Sequence, residues 1–140
     1  MSDKYFVVDT NVIVSVAVFS SHNPALALKK VISSGQLAFS EPILQEYAEI
    51  LSSKKFDKYI SIEKRLAFLQ RLTELGKVIS IKKEIHICRD PKDDKYLDLA
   101  LACGALCIVT GDKDLLVLHP FEGILILTPL GFLTQNVAEE

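Results

Sequence analysis

The sequence predicts an α/β fold: a three-layer α/β/α sandwich around a central parallel sheet of about five strands. Two observations carry this. Short apolar runs rich in β-branched and aromatic residues alternate with helix-length segments along all 140 residues, the pattern of parallel strands joined by helical crossovers. Two of these runs, residues 5–8 and 106–109, are apolar throughout, as strands buried on both faces are. Each ends abruptly in polar residues that include an aspartate.

The length suits one domain, residues 1–140. Apolar residues make up 49% of it, enough to fill a sizeable core. With 16 basic and 18 acidic residues the net charge is −2, which excludes a protein that coats nucleic acid through overall positive charge. Three cysteines, Cys88, Cys103 and Cys107, are odd in number and match no zinc spacing, so they read as small buried hydrophobes in a reducing compartment. Residues 12–19 are apolar but lack a basic lead and are too short to cross a bilayer. No membrane association is expected, and the expected location is the cytoplasm.

The elements follow in order. The first strand ends at Asp9, and Asp9, Thr10 and Asn11 are all residues that cap helices. Residues 12–19 then read as strand by propensity and as a short buried helix by position; periodicity leaves both open. Pro24 opens a helix capped by Asn23, with Ala25, Leu28, Val31 and Ile32 as its apolar face and Gly35 as its stop. A short strand at 37–39 precedes a helix capped by Ser40, whose apolar stripe is Ile43, Tyr47, Ile50 and Leu51. Glu46 falls at the edge of that stripe, where a carboxylate either calls for a cation or, as charged helix residues mostly do, reaches solvent or pairs with a lysine. Residues 52–59 are a polar connection with interleaved lysines and aromatics, a pattern suited to single-stranded nucleic acid and equally to a solvated loop with two core anchors. Ser61 caps a helix over 62–75 with Leu66, Leu69, Leu72 and Leu75 inward and Lys64, Arg65 and Arg71 outward. A strand is expected at 78–81. Asp93 or Asp94 then caps a helix over 95–103, with Tyr96, Leu97, Ala100 and Leu101 inward and Gly104 as its stop. After the strand at 106–110 come a short turn or helix at 115–118, a last strand at 124–127, and a final helix opened by Thr128 and Pro129.

In such a fold the strand ends carrying Asp9 and Asp112, and the starts of the Ser40 and Asp94 helices, share one edge, where α/β proteins bind ligands. Asp9, Glu46, Asp94 and Asp112 are thereby expected to converge. Unpaired carboxylates repel one another, and a divalent cation relieves that repulsion. A site of carboxylates without His or Cys suits Mg²⁺ or Mn²⁺ rather than zinc. Such ions polarise phosphoryl oxygens and activate water, so the implied reaction is phosphodiester hydrolysis.

Four motifs, Val8-Asp9-Thr10-Asn11-Val12, Ser40…Glu46…Leu51, Arg89-Asp90-Pro91-Lys92-Asp93-Asp94-Lys95-Tyr96-Leu97 and Val109-Thr110-Gly111-Asp112-Lys113-Asp114, resemble in order and spacing those of PIN domains, above all the ribonuclease toxins of toxin–antitoxin pairs. The resemblance covers essentially the whole chain. It implies a Mg²⁺- or Mn²⁺-dependent ribonuclease, a homodimer, an RNA substrate and an inhibitory antitoxin. It implies Asp9, Glu46, Asp94 and Asp112 as metal-holding catalytic acids, with Asp94 preferred over Asp93 because it begins a helix and lies 18 residues before Asp112. Asn11 and Thr110 would orient the acids, and Asp114 would either help hold a second metal or sit at the surface. Lys54, Lys55 and Arg89 are the bases placed to meet phosphates. Two other readings remain. One is a PIN scaffold without activity that binds RNA or a protein. The other is a haloacid-dehalogenase-like phosphatase, which requires a second aspartate where this chain has Asn11.

Overall fold

The computed structural model describes residues 4–82 and 91–135. Five strands form one sheet: β1 (Tyr5–Val8), β2 (Gln36–Phe39), β3 (Lys77–Val78), β4 (Cys107–Val109) and β5 (Leu125–Leu127), in the order β3-β2-β1-β4-β5. Every pairing is parallel. Seven helices connect them: α1 (Thr10–Phe19), α2 (His22–Ser34), α3 (Glu41–Leu51), α4 (Ile62–Leu75), α5 (Asp94–Cys103), α6 (Lys113–Leu116) and α7 (Pro129–Thr134). The chain steps one way from β1 to β2 to β3, then returns past β1 to β4 and β5. Right-handed crossovers therefore put α1 to α4 on one face and α5 and α6 on the other, while α7 returns to pack on α2. This is the expected α/β/α sandwich. The reversal falls between β1 and β4, and the crevice at such a switch point is where open sheets bind ligands.

Burial explains the strand residues. Phe6, Val7, Val8, Cys107, Ile108 and Val109 are all buried, as the central strands of a two-faced sheet must be. Position outweighs propensity in α1: the Val- and Ile-rich stretch is helical because Asp9 caps it and four of its branched residues enter the core. Ser20, at φ 50°, ends it by donating its N–H to Ser15 and Val16 carbonyls. Ser40, Ser61 and Thr128 cap α3, α4 and α7 through their hydroxyls, as the sequence predicts. Two glycines mark close approaches. A Cβ on Gly35 would sit 2.2 Å from the Lys4 carbonyl oxygen, and one on Gly76 2.4 Å from the Phe39 ring.

Several expectations are corrected. The cap of α2 is Ser21, so Asn23 and Pro24 lie in its first turn, and its inward face is Ala27, Leu28 and Val31. In the expected strand at 78–81 only Lys77–Val78 pair, with Ile79 adding one hydrogen bond to Phe39. In α5, Leu99 and Asp98 are buried, whereas Leu101 faces out. Cys107 is buried, Cys103 is half-buried, and Cys88 lies outside the described residues. Burial pushes the Cys103 thiol up to about 11 and Cys107 to about 12, which leaves little reactive thiolate at neutral pH.

The largest correction is Arg65. Expected outward, it is 0% exposed, while Leu66 is 42% exposed. Its Nη1 donates to the carbonyls of Leu51 (2.7 Å) and Ser53 (2.8 Å), and its Nη2 pairs with Asp57. The last carbonyls of a helix have no partners within it; here one guanidinium supplies them and ties α4 to the end of α3.

Arg65→Met is therefore expected to destabilise the protein by about 2–4 kcal/mol in urea denaturation, because it strands buried carbonyls. Asp57→Asn, at the exposed end of the pair, is expected to cost less than about 1 kcal/mol. Equal effects would refute the carbonyl account.

Candidate functional site

Strand register builds the centre of the site. Val8 pairs with Val109, so the next residues, Asp9 and Thr110, emerge side by side from the carboxyl ends of β1 and β4. Asp9 continues the ladder, its N–H donating to the Val109 carbonyl at 2.9 Å. Its carboxylate accepts the Thr110 hydroxyl proton at 2.7 Å and the Asn11 N–H at 3.4 Å. The Thr110 oxygen in turn accepts the Asp112 N–H at 3.0 Å. One buried hydroxyl thus spans two acids and fixes where both point.

The second acid pair comes from the following turns. Asp112 caps α6 through the Asp114 N–H at 2.8 Å. Asp93 comes from the 3-10 turn Pro91–Asp93 that precedes α5. Asp93, Asp112 and Asp114 each place one carboxylate oxygen within 4.8 Å of the others. Asp9, Asn11, Glu46, Asp93 and Asp112 line one cleft, walled also by Thr10, Ile50, Lys92, Lys95 and Tyr96. A larger cavity, bounded by Ser40, Val78, Ile79 and Ile81, adjoins it through Lys95.

Glu46 belongs to a different network. Beside it on α3, Tyr47 is buried and donates its hydroxyl to the Val8 carbonyl at 2.6 Å, which anchors α3 to the end of β1. Glu46, one position back, then faces the cleft. Its Oε2 accepts from Thr10 Oγ1 and from the Tyr96 hydroxyl, and its Oε1 pairs with Lys95 Nζ at 2.7 Å.

These surroundings move the two acids in opposite directions. Burial raises the Asp9 pKa above its ordinary 3.8; the Thr110 and Asn11 hydrogen bonds oppose this, and the Asp112 charge adds to it. Burial also pushes Glu46 upward, but hydrogen bonds from Lys95, Thr10 and Tyr96 and the Lys95 charge outweigh it, so Glu46 lies below 4.5. Burial and the nearby acids raise the phenols of Tyr47 and Tyr96 far above neutrality; both remain hydrogen-bond donors.

Of the expected site residues, Asp9, Asn11, Glu46 and Asp112 line the cleft, and Thr110 lies beneath it. Asp94 is buried but is not part of the cleft lining; Asp93 is. Glu46 is outside the three-carboxylate group, which Asp114 completes. Lys54 and Lys55 are exposed on a separate 3-10 turn, Lys54–Phe56, and do not line the cleft. Arg89 lies outside the described residues. Four cleft residues, Lys92, Lys95, Thr10 and Tyr96, are not among the expected site residues; the sequence marks Thr10 only as a capping residue and Tyr96 only as core. Their only other sequence signal is membership of the two acid-bearing motifs.

Three hard-oxygen carboxylates within one ion's reach, with no nitrogen or sulfur donor in the group among the described residues, fit Mg²⁺ or Mn²⁺. No single helix among the described residues is long and apolar enough to cross a membrane.

Comparison with known proteins adds three findings. A family profile described as PIN domain matches residues 5–114. The uncharacterized protein MJ1680 of Methanocaldococcus jannaschii is 32% identical over 115 residues, covering 81% of this chain and 74% of the relative. Two crystal structures share the fold. PAE2754 from Pyrobaculum aerophilum has TM-score 0.64 at 17% identity, covering 98% of this chain and 91% of its own. VapBC2 from Rickettsia felis, bound to a DNA fragment from their promoter, has TM-score 0.61 at 16% identity, covering 87% and 96%.

The opposed pKa shifts give opposite pH windows. Asp9 holds its proton more tightly folded than unfolded, so it favours folding below the ordinary carboxylate range and loses that contribution as pH rises through its raised value. Glu46 contributes above the ordinary range and loses its contribution as pH falls through its lowered value. At neutral pH charged Asp9 therefore opposes folding of the metal-free protein. Asp9→Asn, which retains a capping side chain, is expected to raise Tm in EDTA at neutral pH by about 2–8 °C. The gain should fade toward about pH 4. A Tm at neutral pH equal to or below wild type would contradict this electrostatic account.

Proposed function

The chain belongs to the PIN-domain family, and from that membership we propose that it is a Mg²⁺- or Mn²⁺-dependent endoribonuclease that hydrolyses RNA phosphodiester bonds. We read it further as the toxin of a toxin–antitoxin pair, acting as a homodimer and held inactive by an antitoxin protein. The observation that carries the nuclease reading is the group Asp93, Asp112 and Asp114, whose oxygens lie within 4.8 Å of one another beside buried Asp9. The likeness of fold to VapBC2 supports the toxin–antitoxin part.

In this reading Asp9, Asp93, Asp112 and Asp114 hold the metal, with Asp93 in the place first given to Asp94. When bound, the ion polarises a phosphoryl oxygen and activates a water. Thr110 keeps the Asp9 carboxylate and the Asp112 backbone in fixed relation. Glu46 has one oxygen committed to Thr10 and Tyr96 and the other to Lys95, so it acts by positioning those groups rather than as a ligand. Lys92 and Lys95 on the cleft wall meet the substrate's phosphates, and Asn11 orients the acids from the rim.

The test is cleavage of a mixed pool of labelled RNAs with Mn²⁺, Mg²⁺ or EDTA. Asp9→Asn, Asp93→Asn and Asp112→Asn are expected to lose about 100-fold or more, because even hydrogen-bond partners of metal ligands cost about 10- to 100-fold. Thr110→Val should lose within that 10- to 100-fold range. Asp94→Asn should retain more activity than Asp93→Asn. Cleavage that survives EDTA would overturn the metal-dependent mechanism, and absence of both cleavage and calorimetric Mn²⁺ binding would overturn the nuclease reading in favour of a silent scaffold.

A further inference from the structure

We propose that the surface formed by Phe19 and Tyr59, backed by the buried Phe56 ring and flanked by Lys54, Lys55 and Lys58, is a stacking platform for single-stranded RNA, remote from the acid cleft and connected to it along α1. The proposal rests on the RNA-substrate reading above and extends it.

The sequence left residues 52–59 open between a nucleic-acid contact and a loop with two core anchors. The structure separates the two aromatics. Phe56 is buried, but Tyr59 is 55% exposed, and it meets Phe19, which is 50% exposed at the end of α1. The Phe19 and Tyr59 rings lie 4.9 Å apart at 66°, and Phe19 and Phe56 6.4 Å apart at 84°. Among the described residues Phe19 and Tyr59 are the exposed aromatic side chains, and they touch each other. An exposed apolar pair of this kind marks an interaction site.

Its surroundings specify the partner. Lys55 Nζ lies 5.2 Å from the Phe56 ring and Lys58 Nζ 5.2 Å from the Tyr59 ring, so positive charge is held around the aromatic faces. The acid within this segment, Asp57, is committed to Arg65, which leaves the three lysines in excess. Aromatic faces flanked by cations are what unpaired bases and their phosphates recognise. The platform is also preorganised, since Arg65 ties the Leu51 and Ser53 carbonyls and Asp57 to α4.

Its position suits the same strand. Asn11, which lines the cleft, Ser15 and Phe19 recur every four residues on α1 and so share one face. From Asn11 to Phe19 this stripe runs about 12 Å, a span that a few nucleotides cover. No charged residue occurs in α1, so α1 itself places no negative charge along this path. On the neighbouring helix Ile50 lines the cleft, and the chain continues through Ser53 to Lys54 and Lys55.

The test is fluorescence anisotropy of the full-length protein with a fluorescein-labelled, mixed-sequence single-stranded RNA of about 12 nucleotides, in EDTA so that nothing depends on cleavage. Tyr59→Ala is expected to weaken binding about 5- to 50-fold and Tyr59→Phe, which keeps the aromatic face, less than about twofold. Replacing Lys54, Lys55 and Lys58 together by alanine should reduce the slope of log affinity against log salt by about 2. Wild type that does not bind this RNA, or Tyr59→Ala that binds as tightly as wild type, overturns the platform. Release of a co-expressed antitoxin by Tyr59→Ala at unchanged RNA affinity assigns the surface to protein binding and equally overturns it. Failure of the cleavage assay leaves this measurement intact, so the two readings fall separately.

Discussion

The pairing of Val8 with Val109 is the constraint on which the site depends. It sets Asp9 and Thr110 next to each other at the switch point of the sheet, and the Thr110 hydroxyl then joins the Asp9 carboxylate to the Asp112 backbone. A register slip of one residue would turn Asp9 and Thr110 to opposite faces and dissolve the arrangement. The polar flanks enforce the register: Val7, Val8, Ile108 and Val109 are buried on both faces, so a slip would draw a polar flanking residue such as Lys4 or Asp9 into the core.

Two carboxylates within one cleft are stabilised on different terms. Glu46 is surrounded by donors and stays ionised easily. Asp9 is buried beside another acid, and the hydrogen bonds from Thr110 and the Asn11 N–H do not offset that burial. The two acids thus divide the work: Glu46 organises its neighbours, while burial disfavours the charge on Asp9, a state that a cation relieves.

Much of this was legible in the sequence. Apolar runs ending in Asp9 and Asp112 located the switch point, and Ser40, Ser61 and Thr128 announced their helices. The four motifs carried the PIN resemblance that the family match over residues 5–114 bears out. What was illegible involved one residue settling a question of angle. Helical periodicity places Arg65 among outward charges, and only the free carbonyls at the end of α3, distant in sequence, draw it inside. Asp93 and Asp94 are indistinguishable as caps from sequence, whereas in the structure Asp93 ends a 3-10 turn and lines the cleft and Asp94 begins the helix. Tyr96 and Thr10 look like core filler and cap because their partner, Glu46, lies 50 and 36 residues away.

The sheet margins have a consequence of another kind. β3 pairs over two residues and β5 over three, and β3 carries Lys77 and an exposed Val78. A long, flat, apolar margin is a template on which foreign strands grow into aggregates, and short, charged margins remove it. The long runs of valine and isoleucine that would otherwise be hazardous are kept in the interior strands and in α1. Among the described residues, the sheet thus offers little ladder at either margin for misassembly to propagate.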